Sequence, residues 1–572
     1  MASSKPGLFA REATGLVREI GFTLGVIIIL SHVIGLGWQK RAFQFSGPMP
    51  MPTDAMPLGL PAMFWAFLVV GLVVLVTGYA AGYVAAAMPR SGGGYVTISR
   101  VIHPVVGYIS GWIMFLAEAF SYGLIGVAVF EGISIFFNIA LATPGGEVPG
   151  WLSAMGDPAV LFVGGLLLVW VFALVAMLGT KMYGRLMEVL FYIPAAITVV
   201  FFAMWIAGAL NPSVVVDGFT KVTGAAPDVY VQTALDTGMA ANPAGFFDAF
   251  SFALGGAFWA YMGWYATTFL AGEVKEANKK LPKVLLVAGL VIMIVYLAAS
   301  SLSAISVMNV AVKTSGGHTW SLFQAYGWLS YGPDAAKSAA AAAIPNFQSA
   351  WSTGIASIIA QGMNAGWLSI LIAIGGVFWV ANDIPPFLLV ASRTFFAMSF
   401  DRMMPEKFSY VSERWHAPVW SLIVTAVFAI PACMAEANFP KGASTYLGFA
   451  GVVGTDIFDA AFLLMFCVSC MLLPLERKDV YDRAAVKHSV GFVVLLGLVA
   501  TLGASFCLYI FIQQSPWIWK LFTTGAAEAD IASAIGFLGC IAAGILLYVY
   551  YMYKNSTKGV DMRTLYIAIP PE

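Results

Sequence analysis

Two short stretches hold residues whose types and spacing suit ligand chemistry inside an apolar chain. The first is His32-Val-Ile-Gly35-Leu36-Gly37-Trp38. Two glycines one residue apart weaken a helix and bare its amide N–H groups. Where a helix restarts within a membrane, those donors and the positive end of its dipole suit an anion such as an amino acid carboxylate. Close packing of helices through small residues is the competing use of such a pair. The second stretch is Trp259-Ala260-Tyr-Met262-Gly263, an apolar run with a glycine in mid-span. A break there frees carbonyls for an ammonium group, and Trp259 is placed either to close over a bound molecule or to pack. Facing each other, two such breaks hold both ends of a zwitterion without a charged side chain, which is expensive to bury in lipid. The residues assigned to substrate binding are therefore Gly35, Leu36, Gly37, Trp259, Ala260, Met262 and Gly263.

Ionisable side chains within apolar runs are functional candidates by default. They include His32, Glu118, Glu188, Asp383, Asp456 and Asp459. Three are assigned as coupling candidates. His32 adjoins the first break and carries an imidazole, whose ordinary titration range spans neutral pH. Glu118 falls deep within its run. Asp383 lies in Asn-Asp-Ile-Pro-Pro (382–386), where prolines free carbonyls on the preceding turn; a helix-end cap is the alternative. The five histidines form no ligand pair, so no metal site is expected. No serine or cysteine has a base placed by spacing, so no catalytic set, enzyme activity or cofactor is expected.

These stretches must be positioned by membrane helices. Of 572 residues, 60% are hydrophobic and 10% charged, a balance no soluble domain has. Twelve spans are expected, at 20–43, 60–87, 105–139, 158–179, 185–209, 245–271, 284–309, 366–399, 417–437, 446–473, 489–513 and 531–553, numbered 1–12 below. Most exceed the length that crosses a bilayer core of about 30 Å. With the N-terminus inside, 22 of the 29 lysines and arginines, Lys5 among them, fall on inner segments, placing both termini in the cytoplasm. The N-terminus lacks the order of a signal peptide. The expected division is a cytoplasmic N-terminal segment at 1–19, one transmembrane domain at 20–553 and a cytoplasmic tail at 554–572. Long outer connections fall at 210–244, 310–365 and 514–530, with a short helix expected at 334–343. Zero net charge implies no nucleic-acid partner. Cys467-Val-Ser-Cys470 has redox-motif spacing but sits mid-helix without a second ligand pair, so all five cysteines read as small apolar residues. Ser-Gly-Gly-Gly (91–94) lacks the lysine and strand of a phosphate loop and reads as a tight turn.

Four segments together resemble the amino acid–polyamine–organocation permease superfamily. They are the Gly35-Leu-Gly37 segment, MPRSGGGYVTISRVIHPVVGYISGW (88–112), the Trp259–Pro282 run with its Glu-Val-Lys exit, and Ser392-Arg393 with FFAMSFDRMMPEKF (395–408). The resemblance implies an all-α polytopic membrane protein of 12 transmembrane helices with a leucine-transporter-type fold. Spans 1–5 are repeated inverted as spans 6–10, with two C-terminal helices added. It further implies alternating access, with Gly35–Gly37 amides for a substrate carboxylate, carbonyls near Trp259, Ala260 and Met262 for its amine, and Trp259 as a gate.

The chain also departs from the family pattern. Leu36 stands where a small polar residue is usual, Tyr83 where span 2 has an acid, and Tyr265 where an acidic or polar residue follows the span 6 glycine. Val199 falls where some proton-coupled members carry lysine. The expected function is secondary transport of amino acids across the cell membrane, neutral or apolar ones because span 6 has no acid, coupled to a proton, with a sodium ion as the alternative and the lipid bilayer as its surroundings. An amino acid or amine exchanger is the variant. A non-transporting subunit or sensor with membrane-complex partners is the alternative, and a central cavity plugged by side chains would favour it.

Overall fold

The computed structural model describes residues 8–571 except 242, 315 and 524. Lys5, with the rest of residues 1–7, and residue 572 lie outside the described residues. Among those described, eleven helices are long and apolar enough to cross a membrane. The expected span 6 at 245–271 is not among them, because its helix, Phe246–Tyr261, stops partway. Long helices follow from composition: in lipid a backbone must satisfy its own N–H and C=O groups. Their starts are set locally by a polar cap followed by proline, as at Asp157-Pro158, His103-Pro104 and Asn211-Pro212, where each cap side chain accepts from an N–H two residues on.

The two most extensive helix pairings are span 3 (Pro104–Ala140) with span 8 (Gly366–Phe400), and span 2 (Ala62–Ala87) with span 7 (Ala277–Met308). Each joins a span to the one five places later, as a two-fold-related 5+5 repeat requires. Span 10 (Val452–Glu476) packs on span 3 and on span 11 (Val490–Gln513). Span 3 is largely enclosed, whereas the last helix, Glu528–Thr557, turns apolar residues such as Leu538 and Leu546 outward as a lipid face. Val199 also points outward, 70% exposed, so the position of the family's lysine is remote from the core.

Both ends of the described chain gather at one end of the molecule, the terminal face. Ile20 pairs with Val274, Arg402 donates to the Phe9 carbonyl (2.8 Å), and Arg90 to that of Pro570 (2.6 Å). Sequence missed a helix here, Gly93–Val101, too short and too polar to stand out. Gly92 and Gly93 make the tight turn before it at φ +88° and +40°, and a Cβ on Gly93 would meet the Thr268 carbonyl oxygen at 2.7 Å.

The opposite end, the loop face, carries the long connections. The helix expected at 334–343 forms as Asp334–Ala343. Unexpected there are a hairpin (Ala311–Lys313 with Thr319–Ser321) and the helix Ser352–Gly362, buried on nearly every side. Cysteines 433, 467, 470 and 507 are buried, and Cys540 is half-buried on the last helix.

Candidate functional site

Span 1 is interrupted where the glycines stand. Its first helix, Phe22–Val33, closes with the Gly35 N–H on the Val33 carbonyl (3.1 Å), and a second helix restarts at Leu36 and runs to Gln44. The freed Gly35 carbonyl accepts from Gln39 Nε2 at 2.9 Å, and Thr353 fixes that amide by donating to Gln39 Oε1 at 2.6 Å. The Leu36 N–H donates to Asp383 Oδ2 at 3.1 Å. Asp383 lies in the middle of span 8, buried, so the helix-end reading of this residue is wrong: it faces the span 1 break. Gly37 presses on span 6, where a Cβ would come within 2.8 Å of Ala260 Cβ.

Span 6 is interrupted opposite. After Tyr261 the chain turns, with Gly263 at φ +92° and a single tight turn at Ala266–Phe269. A side chain at Gly263 would strike the His32 ring at 2.4 Å, so the glycine lets span 1 and span 6 touch at their breaks. Tyr296 of span 7 donates its hydroxyl proton between the Val33 and Ala260 carbonyls (2.5 and 2.6 Å). Met262 closes back on the Trp259 carbonyl (3.1 Å).

His32, Gly37, Trp259, Ala260, Met262 and Asp383 line one cavity between the breaks. Its volume is about 40 Å³, room for water but below the ~300 Å³ of a typical ligand pocket. A second space of about 400 Å³ lies on the loop-face side of Trp259, bordered by Leu36, Lys40, Arg41 and Glu436. Trp259 divides the two, and the Arg41 guanidinium lies 3.7 Å from its ring centroid, a cation–π stack.

All ten residues assigned from sequence meet here. Gly35 cradles the Asp383 carboxylate, Gly263 backs His32, and Glu118 Oε2 approaches His32 Nε2 to 3.4 Å. Glu188 is apart from the cavity and half-buried on span 5. Asp456 and Asp459, not chosen from sequence, line the cavity from span 10. Tyr265 donates to the Asp459 carboxylate, a polar link between span 6 and span 10. Tyr296 gave no signal at all: one tyrosine in an apolar run is indistinguishable from packing.

A second polar cluster closes the terminal face. Glu273, from the Glu-Val-Lys exit, accepts from Arg393 Nε and Nη2 (2.8 and 3.0 Å) and from the half-buried Thr180 hydroxyl (2.6 Å), with the Glu273–Arg393 pair itself deeply buried. The Ile20 N–H donates to the Glu273 carbonyl (2.9 Å), and Gly92 N–H to that of Phe269 (2.8 Å). Nearby, Arg100 makes a two-pronged pair with Asp401 (2.6 and 2.8 Å), and Tyr95 donates to the same carboxylate (2.8 Å). Three of the four segments quoted above thus meet at one closure.

Comparison with known proteins agrees with this architecture. Residues 22–527 match the model of the family described as Amino acid permease. The serine/threonine exchanger SteT of Bacillus subtilis (strain 168) is 23% identical over 289 residues, which is 50% of this chain and 54% of SteT. The match therefore spans about half of that relative's length. The branched-chain amino acid permease BcaP of the same organism is 22% identical over 95% of this chain and 94% of its own length. BcaP of Lactococcus lactis subsp. cremoris (strain MG1363) is 24% identical over 94% and 93%.

Proposed function

The chain belongs to the amino acid permease family, and on that premise we propose that it carries amino acids across the cell membrane by alternating access, with both termini in the cytoplasm. The observation that carries this reading is the pair of interrupted helices, broken at Gly35 and at Met262–Gly263, whose ends wall a single cavity under Trp259. The Leu36 and Gly37 amides take the substrate carboxylate and carbonyls about Ala260 and Met262 its amine. Trp259, stacked with Arg41, is the lid between the cavity and the larger vestibule. The apolar lining from Leu124, Ile125 and Phe387 supports a neutral, apolar side chain, as do the two relatives named for branched-chain amino acids. Proton coupling draws on His32, Glu118 and Asp383 around the same cavity.

Uptake of labelled L-leucine, L-valine, L-serine and L-threonine into proteoliposomes tests this. Accumulation that grows with an inward proton gradient is expected. Uptake only against preloaded internal amino acid would make the protein an exchanger, a variant that SteT's name favours. Failure of every amino acid in both formats would overturn the carrier reading. It would favour a non-transporting member, to which the small cavity and the Asp383 and Tyr296 side chains at its main-chain groups lend support.

A further inference from the structure

The amide assigned to the substrate's carboxylate is already taken by a carboxylate of the chain itself. Asp383 Oδ2 accepts from the Leu36 N–H at 3.1 Å, and a Cβ on Gly35 would fall within 1.9–2.0 Å of the whole carboxyl group. Asp383 therefore fills the cradle that the glycine opens. Its other oxygen, Oδ1, is buried and makes no hydrogen bond among the described residues, and Asp383 borders the cavity. The residue reaches the break by its side chain, from the middle of span 8.

We propose that Asp383 is a tethered occupant of the carboxylate seat, which an amino acid displaces on binding, a step that rests on the amino acid reading above. The exchange at the Leu36 N–H breaks one hydrogen bond, to Asp383, and forms one, to the substrate. Two ionised carboxylates in one small cavity repel strongly, so the displaced Asp383 takes a proton from vestibule water onto a carboxyl oxygen. One zwitterion and one proton enter together. The other titratable and charged groups around Asp383 are His32 of span 1 with Glu118 of span 3 behind it, and Tyr296 of span 7. Asp456 and Asp459 face it from span 10, and Arg41 lies beyond Trp259. All of them remain in variants at position 383, so their titration is common to every arm of the comparison.

The test is equilibrium binding to the full chain in lipid nanodiscs, at about pH 5.5 and about pH 8. The probes are L-leucine and its carboxylate-free analogue isopentylamine. Wild-type protein should bind leucine more tightly at the lower pH. Asp383→Asn, which keeps the shape but not the charge, should bind leucine about tenfold more tightly at the higher pH and lose most of the pH dependence. Asp383→Ala, which empties the seat, should do the same. Isopentylamine needs no vacated seat, so neither variant should bind it more tightly than wild type does; its retained binding shows that the variants are folded. Weaker leucine binding in both variants, or an unchanged pH profile, would overturn the proposal and leave the amino acid reading standing. Wild-type protein that binds isopentylamine but no leucine at either pH would overturn the amino acid reading, and this proposal with it.

Discussion

Glycines at this site act through what a Cβ would strike. Gly263 combines φ +92° with a Cβ position 2.4 Å from the His32 ring, so no side chain fits by either measure. Gly263→Ala should lower stability by about 1–3 kcal/mol and abolish uptake. Gly132→Ala, whose Cβ meets nothing nearer than 3.5 Å, should stay within about 0.5 kcal/mol of wild type. Thermal unfolding in detergent compares them, and equal behaviour of the two variants would refute the packing account. A valine at Gly37 would cover the amides of the break and also wedge the two breaks apart at Ala260. The glycines and Trp259 were legible because a weakened helix in an apolar run leaves a mark in composition. Asp456 and Asp459 were visible only as ionisable groups in an apolar run, and Tyr296 not at all, since nothing local says which face of a buried helix turns toward a neighbour's break.

Among the elements, the long spans were legible from hydropathy. The closure at the terminal face was only half legible. Glu273 and Arg393 each lay in a recognised segment, yet their pairing needs spans 6 and 8 brought side by side. The pair is buried, so removing one partner strands a charge. Arg393→Ala should destabilise by about 3–5 kcal/mol. The double variant Glu273→Gln/Arg393→Gln should cost less than the sum of its single changes, because both charges leave together. A thermal-stability cycle measures this, and strictly additive losses would mean that the two groups are independent. Ser352–Gly362 and Gly93–Val101 escaped the sequence reading because hydropathy finds crossings, and both are short helices made buried by tertiary packing alone.

Seen whole, the molecule ties its two interrupted spans to spans 8 and 10 by polar contacts. Span 1 meets span 8 through Leu36 and Asp383, span 6 meets span 10 through Tyr265 and Asp459, and span 6's exit meets span 8 through Glu273 and Arg393. Directional bonds suit surfaces that part and rejoin in the alternating access proposed above, whereas the apolar pairings of span 2 with 7 and 3 with 8 suit bodies that stay intact. The loop face has its own tie. The Thr319 N–H and the His318 ring hold the Asp54 carboxyl below its usual range. A depressed carboxyl contributes stability above its ordinary titration range and loses it as pH falls through the lowered value. Acidification should therefore loosen the 311–321 hairpin, seen as faster amide exchange at Thr319, and Asp54→Asn should show that faster exchange already at neutral pH. Exchange independent of both would remove this tie.

The sealed cysteines have a practical consequence. Four of the five thiols have no path to water, and the fifth sits halfway along a helix that faces lipid. A membrane-impermeant maleimide should find the natural protein almost silent. One reporter cysteine at Gln44, on the vestibule wall, would then stand out against a dark background, and its labelling rate would time access to that vestibule without any prior cysteine removal.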